Sequence, residues 1–180
     1  MGAPKRLRKN YDKPAKMWSK ERIEEEHALK KTYGLKNVKE LWAAKSELRR
    51  VRSNIRKVLS MQASEAVGRE TISRLAKYNI VKHDATLDSV LVINVQAFLD
   101  RRLQSMVTRR GMARTQAQAR QLITHGFIAI GGRRVTSPGY LVTADDEEKI
   151  AYYKPIKIDQ TPPKADSGAE KETEPVQQNN

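Results

Sequence analysis

The chain has no cysteine. That removes disulfides, thiolate zinc sites and cysteine nucleophiles together, and it fits a reducing compartment. Aromatic residues make up only 6% of 180 residues and the hydrophobic fraction is 38%, enough for a modest core but not for a large enzyme body. No apolar run approaches the roughly 18 residues that cross a bilayer. The opening, MGAPKRLRKNYDKPAK, is charged with no apolar block behind it, so it does not read as a secretory signal. Acids are scarce beside bases: 21 Asp+Glu face 35 Lys+Arg, a formal net charge of +14. Such a surplus repels itself unless a polyanion neutralises it, which makes nucleic acid the first candidate partner and an anionic membrane surface the second.

The charge is unevenly distributed. Met1 to Lys57 carries 18 Lys+Arg and 7 Asp+Glu, a net of +11. Leu99 to Thr136 carries 8 Arg with Asp100 as its single acid, a net of +7. Asp159 to Asn180 has 2 Lys and 5 acids, a net of −3, with almost no aliphatic bulk. It cannot bury enough apolar area to offset its ordering entropy, and residues 159–180 are expected to form a disordered acidic tail.

The rest divides into an extended basic arm (1–18), a helical domain (19–93) and a second module (94–158), giving an α+β chain. In the arm, Pro4 and Pro14 interrupt basic clusters that include Lys5, Arg6, Arg8 and Lys9, which we read as nucleic-acid contacts. Ser19 suits an N-cap, and Glu21, Glu24, Glu25 and Glu26 suit the positive end of the helix it opens. Gly34 is a helix stop. Asn37 opens a second helix in which Val38, Leu41, Trp42, Leu48, Val51, Ile55, Val58 and Leu59 recur at helical spacing. Off that stripe lie Arg49, Arg50, Arg52, Arg56 and Lys57, and the four arginines are candidate contacts. A short helix over Ile72 to Tyr78 and another starting near Asp88 complete the domain.

In the second module Asn94 should cap one helix through VQAFLDRRLQSMVTRR, ended by Gly111. Arg102, Arg109 and Arg110 on it are candidate contacts, as is Arg101, because a window holding one acid is poorly explained as an ordinary solvated flank. Thr115 caps the next helix and Gly126 closes it. At about 100° per residue, Ala119, Leu122 and Ile123 face the core, while Arg114, Gln118, Gln121 and His125 fall on one polar side. That side can donate to phosphate and sugar oxygens and, through the amides, read base edges. FIAIGGRRV is a hairpin: Gly131-Gly132 takes the positive φ values of a tight turn, pairing Ile130 with Arg133 and Ala129 with Arg134. The two arginines then emerge on opposite faces beside a glycine tip, good chemistry for a phosphate. Tyr140, after the Pro138-Gly139 turn, can stack on RNA or hydrogen-bond to it, or else pack on the hairpin, and KIAYYKPIKI should return as a final strand.

No catalytic set is evident. EEEH (Glu24 to His27) is better explained as helix-start charge than as a metal site, DDEE (Asp145 to Glu148) reads as a polar connection, and no phosphate loop or nucleophile elbow occurs. No cofactor is expected. Trp42 reads as core, and His27 and His83 as incidental surface residues.

FLDRRLQSMV, ARTQAQARQLITHGFIAIGGRRV and SPGYLV resemble the RNA-binding domain of the small-subunit ribosomal protein S-four family. MGAPKRLRKNYDKPAKMW, RIEEEHALKKTYGLKNVKELW and SELRRVR resemble the front half of that family in its archaeal and eukaryotic form. The similarity covers about Met1 to Ile158. The second module alone also occurs in synthetases, pseudouridine synthases and stress proteins; its combination with this front half is the specific signal. Gly131-Gly132 stands where the family usually has Asn-Gly, and the cysteine cluster that some bacterial members use for zinc is missing, so no metal is carried over. The resemblance implies a structural, non-enzymatic protein in cytoplasmic small ribosomal subunits. It would bind 16S-type rRNA early in assembly of the subunit body, near the mRNA entry path and ribosomal protein S-five, and influence translational accuracy, with no role on membranes or DNA. By matching motif, Arg114, Thr115, Arg120 and Gln121 would be the helix contacts and Arg133 the hairpin contact; on the helical wheel Arg120 points away from Gln118 and Gln121, toward another RNA strand or a brace on the preceding helix. The alternative readings are a stress or RNA-modification factor using the same module, and a membrane-surface or duplex-DNA binder.

Overall fold

The computed structural model describes residues 9–61, 64–82 and 84–154. Lys5, Arg6 and Arg8 of the arm, His83, the end of the expected last strand and the acidic tail lie outside the described residues.

Three helices build most of the front half: α1 (Lys20–Thr32), α2 (Val38–Leu59) and α3 (Glu65–Lys77). Ser19 and Asn37 occupy the expected N-cap positions, but neither side chain accepts a capping bond. The third helix begins at Glu65, about two turns before the expected Ile72, because Gly68 and Thr71 are buried on it and its packing on α2 extends back past the aliphatic stripe. Two short helices follow, α4 (Leu87–Val92) and α5 (Val95–Asp100). Leu48, Val51, Ile55, Leu75, Val90 and Phe98 form one apolar cluster. Leu35, Leu41 and Leu99 form a second, smaller one.

The helix expected from Asn94 to Arg110 is broken in two. After α5 the chain turns through Arg101 and Arg102 and re-enters as α6 (Leu103–Arg109). The break has a long-range cause. Arg102 bridges Leu141, Leu103 N–H donates to Tyr140 C=O at 2.8 Å, and Val142 N–H donates to Arg101 C=O at 2.9 Å. Backbone groups that would have served the helix are used to hold the 140–142 segment instead.

Then come α7 (Gln116–Thr124), β1 (Ile128–Ile130), β2 (Arg133–Arg134), α8 (Ala144–Glu147) and β3 (Ile150–Tyr152). The sheet order is β2-β1-β3, all antiparallel. The hairpin register is as expected, Ile130 opposite Arg133 and Ala129 opposite Arg134. Gly131 and Gly132 have φ +55° and +78°, the two positive values of a type I′ turn. A third cluster, from Leu103, Met106 and Val107 through Leu122 and Ile123 to Ile128, Val142 and Ile150, packs α6 and α7 on the sheet. The apolar clusters thus change over between Leu99 and Leu103, with α5 on the front half.

Candidate nucleic-acid interface

The start of α7 is built by reciprocal capping. Thr115 Oγ1 accepts from Gln118 N–H at 3.1 Å, and Gln118 Oε1 accepts from Arg114 N–H at 2.8 Å. Spacing of a hydroxyl and an amide three residues apart is what closes such a cap. These two side chains therefore shape the helix start, and the polar face is carried by Arg114, Gln121 and His125, all exposed. The His125 ring stacks beside Phe127 with centroids 6.3 Å apart.

The hairpin continues this surface. Arg133 and Arg134 are both exposed. The stem of Arg134 lies over Gly126 at the end of α7: a Cβ there would fall 2.8 Å from Arg134 Cδ. The hairpin guanidinium is thus brought alongside the helix that carries Gln121 and His125. The tip at Gly132 meets nothing within 4 Å of an added Cβ, leaving backbone open to close approach.

Several arginines expected to face a polyanion turn inward instead. Arg102 is only 8% exposed; its Nη2 donates to Glu40 Oε2 at 2.5 Å. Arg120 Nη2 donates to Glu40 Oε1 at 2.8 Å and its Nη1 reaches Gln104 Oε1 at 3.4 Å. Arg120 is therefore the brace, tying α7 to α6 and to α2 at once. Arg101 is buried, bonded to Glu147 at 2.8 Å. Arg52 donates to Ile93 C=O at 2.7 Å, closing α2 against the α4–α5 turn. The common reason is geometric: each sits where two elements meet and leave a carboxylate or carbonyl to be satisfied. Arg110, by contrast, stays exposed, although its Nη1 also reaches Ile150 C=O of β3 at 3.1 Å. Tyr140 donates to Asp146 at 3.2 Å and is partly exposed, and burial followed by that acid raises its hydroxyl pKa.

Arg49, Arg50, Arg56 and Arg109 stay at the surface, as does Lys9. Arg49 lies 3.7 Å from Asp12, Arg50 3.6 Å from Glu47, and Arg109 3.6 Å from Asp100. Such loose, exposed pairs contribute little and leave the cations available to a stronger anion.

Two hubs carry no apolar signature and are not evident from periodicity. Glu40 is one; burial pushes its carboxyl up, but hydrogen bonds from Arg120 and Arg102 outweigh this and its pKa is lowered. Glu26 is the other, its side chain 4% exposed. It accepts from Arg22 at 2.6 Å, Lys45 at 2.9 Å and the Trp42 indole at 3.2 Å. Burial again raises its pKa and the donors, Lys45 and then Arg22 first, bring it below the usual carboxylate value. Glu26 is thus the fastening of α1 to α2 rather than simply helix-start charge. Trp42 is half-buried there, with Tyr11 of the arm 6.0 Å from its ring. Among the described residues no group of three or more His, Asp and Glu is placed to hold a metal, and no helix is long and apolar enough to cross a membrane.

The S4 domain family matches residues 101–148, the span from the helix break to α8. The small ribosomal subunit protein uS4 of Methanoregula boonei is 47% identical over 159 residues, covering 84% of this chain and 86% of that one. The chain belongs to the uS4 family. Further uS4 proteins resemble it at similar levels: that of Sulfurisphaera tokodaii is 44% identical over 91% of this chain and 94% of its own, and that of Saccharolobus islandicus 43% over 91% and 92%. The uS4 similarity thus runs through both the helical front half and the S4 domain.

Proposed function

We infer that this chain is a structural constituent of the small ribosomal subunit that binds rRNA and acts in cytoplasmic ribosomes, not as an enzyme. The observation that carries the reading is uS4 identity of 43–47% over 84–91% of the chain, joined to an exposed basic surface on the matched domain. We place the RNA contacts on Arg114, Gln121, His125, Arg133 and Arg134 of the S4 domain, with Thr115 and Gln118 setting their frame. Arg49, Arg50, Arg56, Arg109 and Lys9 extend the contact surface, and Tyr140 offers an exposed ring at its edge. Phosphate neutralisation with counterion release supplies most of the affinity. Specificity comes from the folded shape of the RNA, because A-form grooves expose little sequence to side chains.

Finer placements rest on family membership: early binding that nucleates the subunit body, a position beside ribosomal protein S-five near the mRNA entry path, and an influence on accuracy. The test is to mix the full-length protein with archaeal small-subunit rRNA and with duplex DNA at matched salt. Selective retention of the rRNA, and co-migration with small subunits in a gradient, is expected. Equal binding to both nucleic acids would overturn the reading.

A further inference from the structure

The exposed cations do not account for Trp18. It is 92% exposed, an extreme value for a large apolar ring, in a chain with only 2 Trp. Yet the backbone beneath it is fixed. Arg22 Nη2 donates to Met17 C=O at 2.8 Å, and the same guanidinium is held by the buried Glu26 at 2.6 Å. Ser19, next in sequence, is the N-cap of α1, its C=O receiving Ile23 N–H at 3.1 Å. Upstream, Asp12 N–H donates to Ser46 on α2 at 2.9 Å and Tyr11 lies beside Trp42. The segment that carries the indole is therefore tied down at both ends, while the ring has no aromatic or hydrogen-bonding partner among the described residues.

We propose that Trp18 is a stacking platform for an unpaired base of the rRNA. The proposal rests on the rRNA-binding reading above and adds a site to it. Two observations favour a base over a protein neighbour. Among the described residues the indole stands almost alone: the one other exposed large apolar side chain beside it in sequence is Met17, 44% exposed, whereas protein docking sites present contiguous apolar patches. And lysines lead up to it along the chain: Lys9, Lys13 and Lys16 are exposed and the one acid among residues 9–18, Asp12, faces Arg49, while on the other side Lys20 lies 3.9 Å from Glu24 and Glu21 is exposed at the start of α1. An aromatic face among lysines that track a phosphate backbone is the arrangement used on single-stranded nucleic acid. With the backbone beneath it already fixed, stacking has to order only the side chain itself.

The test uses full-length wild-type protein, Trp18→Ala and Trp18→Phe with purified archaeal small-subunit rRNA, following binding by filter retention and by tryptophan emission. Subtracting the Trp18→Phe signal, which leaves Trp42 alone, isolates Trp18. We expect rRNA to quench Trp18, Trp18→Ala to bind roughly ten-fold more weakly, and Trp18→Phe to stay within about three-fold of wild type; far-UV circular dichroism should match for all three. If rRNA binds while Trp18 emission and the Trp18→Ala affinity stay unchanged, the stacking site is wrong and the rRNA reading stands. If Trp18 responds only in assembled subunits and not to naked rRNA, its partner is a protein and the proposal is overturned. If no variant, nor the wild type, binds rRNA, the wider reading fails and this site falls with it.

Discussion

Glu40 and Arg120, 80 residues apart, share a two-pronged contact: Arg120 Nη2 meets Glu40 Oε1 at 2.8 Å and Nη1 meets Oε2 at 3.2 Å. With Arg102 on the same carboxylate, one acid of α2 holds two arginines of the S4 domain. The basic domain is thereby oriented on the helical front half by charges that bulk composition would assign to RNA. Replacing Glu40 with Gln would leave two guanidiniums without their counter-charge at a half-buried junction. Removal of one partner of a fully buried pair costs about 3–5 kcal/mol; the partial exposure of this one reduces the expected loss to about 2 kcal/mol. Thermal melting should fall by about 4–8 °C. Adding Arg120→Met should recover part of the loss, and an additive double mutant would show that the pair is not coupled.

Gly34 makes the second connection. Its φ is +56°, and a Cβ there would sit 2.7 Å from Gln116 Cβ and 3.1 Å from Gln104 Nε2. Gln104 Nε2 lies 3.1 Å from Gly34 C=O and 2.9 Å from Gln116 C=O. Gly34→Ala thus combines left-handed strain with a clash against neighbouring backbone and side chain, and should cost about 2–4 kcal/mol. Gly111 has φ +73° but nothing within 4 Å of an added Cβ, so Gly111→Ala should cost only about 1–2 kcal/mol. Urea titration of the two variants checks the difference; equal losses would mean that the close approach at Gly34 is unimportant.

Much of this was legible in the sequence, and what was hidden has one cause. Turn chemistry is local, so Gly34, Gly111, Gly126 and the Gly131-Gly132 hairpin register could be read from adjacent residues. The polar side of α7 could be read because three residues at helical spacing suffice. The split of the Asn94 to Arg110 helix could not, since it depends on Leu141 pairing back on Arg102 from 39 positions away. Nor could the inward turn of Arg102 and Arg120, because a surplus of +14 makes any arginine resemble a contact until its carboxylate partner is located in space. Glu26 and Glu40 were hidden for the same reason: no local pattern marks an acid whose donors come from another element, Lys45 and Trp42 of α2 for Glu26, Arg102 and Arg120 of the S4 domain for Glu40.

Acid sensitivity should follow these two acids. Both Glu26 and Glu40 have pKa values below their ordinary 4.5 in the folded chain. Each therefore contributes stability that is fully present above the unfolded value near 4.5 and is lost as pH falls through the lowered folded value. Urea midpoints measured from pH 6 downward should hold steady to about pH 5 and then decline. Glu26→Gln should be less stable at neutral pH and show a shallower decline; a wild-type slope in that variant would remove Glu26 from the account.

Tyr33 adds an alkaline counterpart. Burial, then its 3.0 Å bond to Asp100, raises its hydroxyl to about 12. A raised value means stability that is present below the unfolded pKa near 10 and is lost as pH rises through the folded one. Tyr33→Phe should shrink the fall in melting temperature between pH 9 and pH 11.5, and an unaltered fall would assign it to other groups.

The central claim is that the outward cations of the S4 domain hold rRNA while the inward ones hold the fold. Its most direct measurement is the affinity of full-length protein for small-subunit rRNA across a KCl series, wild type against a combined Arg114→Ala, Arg133→Ala, Arg134→Ala variant. The expected result is weaker binding with a salt slope shallower by about 2–3 units, with the far-UV circular dichroism of the folded chain retained. An affinity within two-fold of wild type and an identical slope would contradict it.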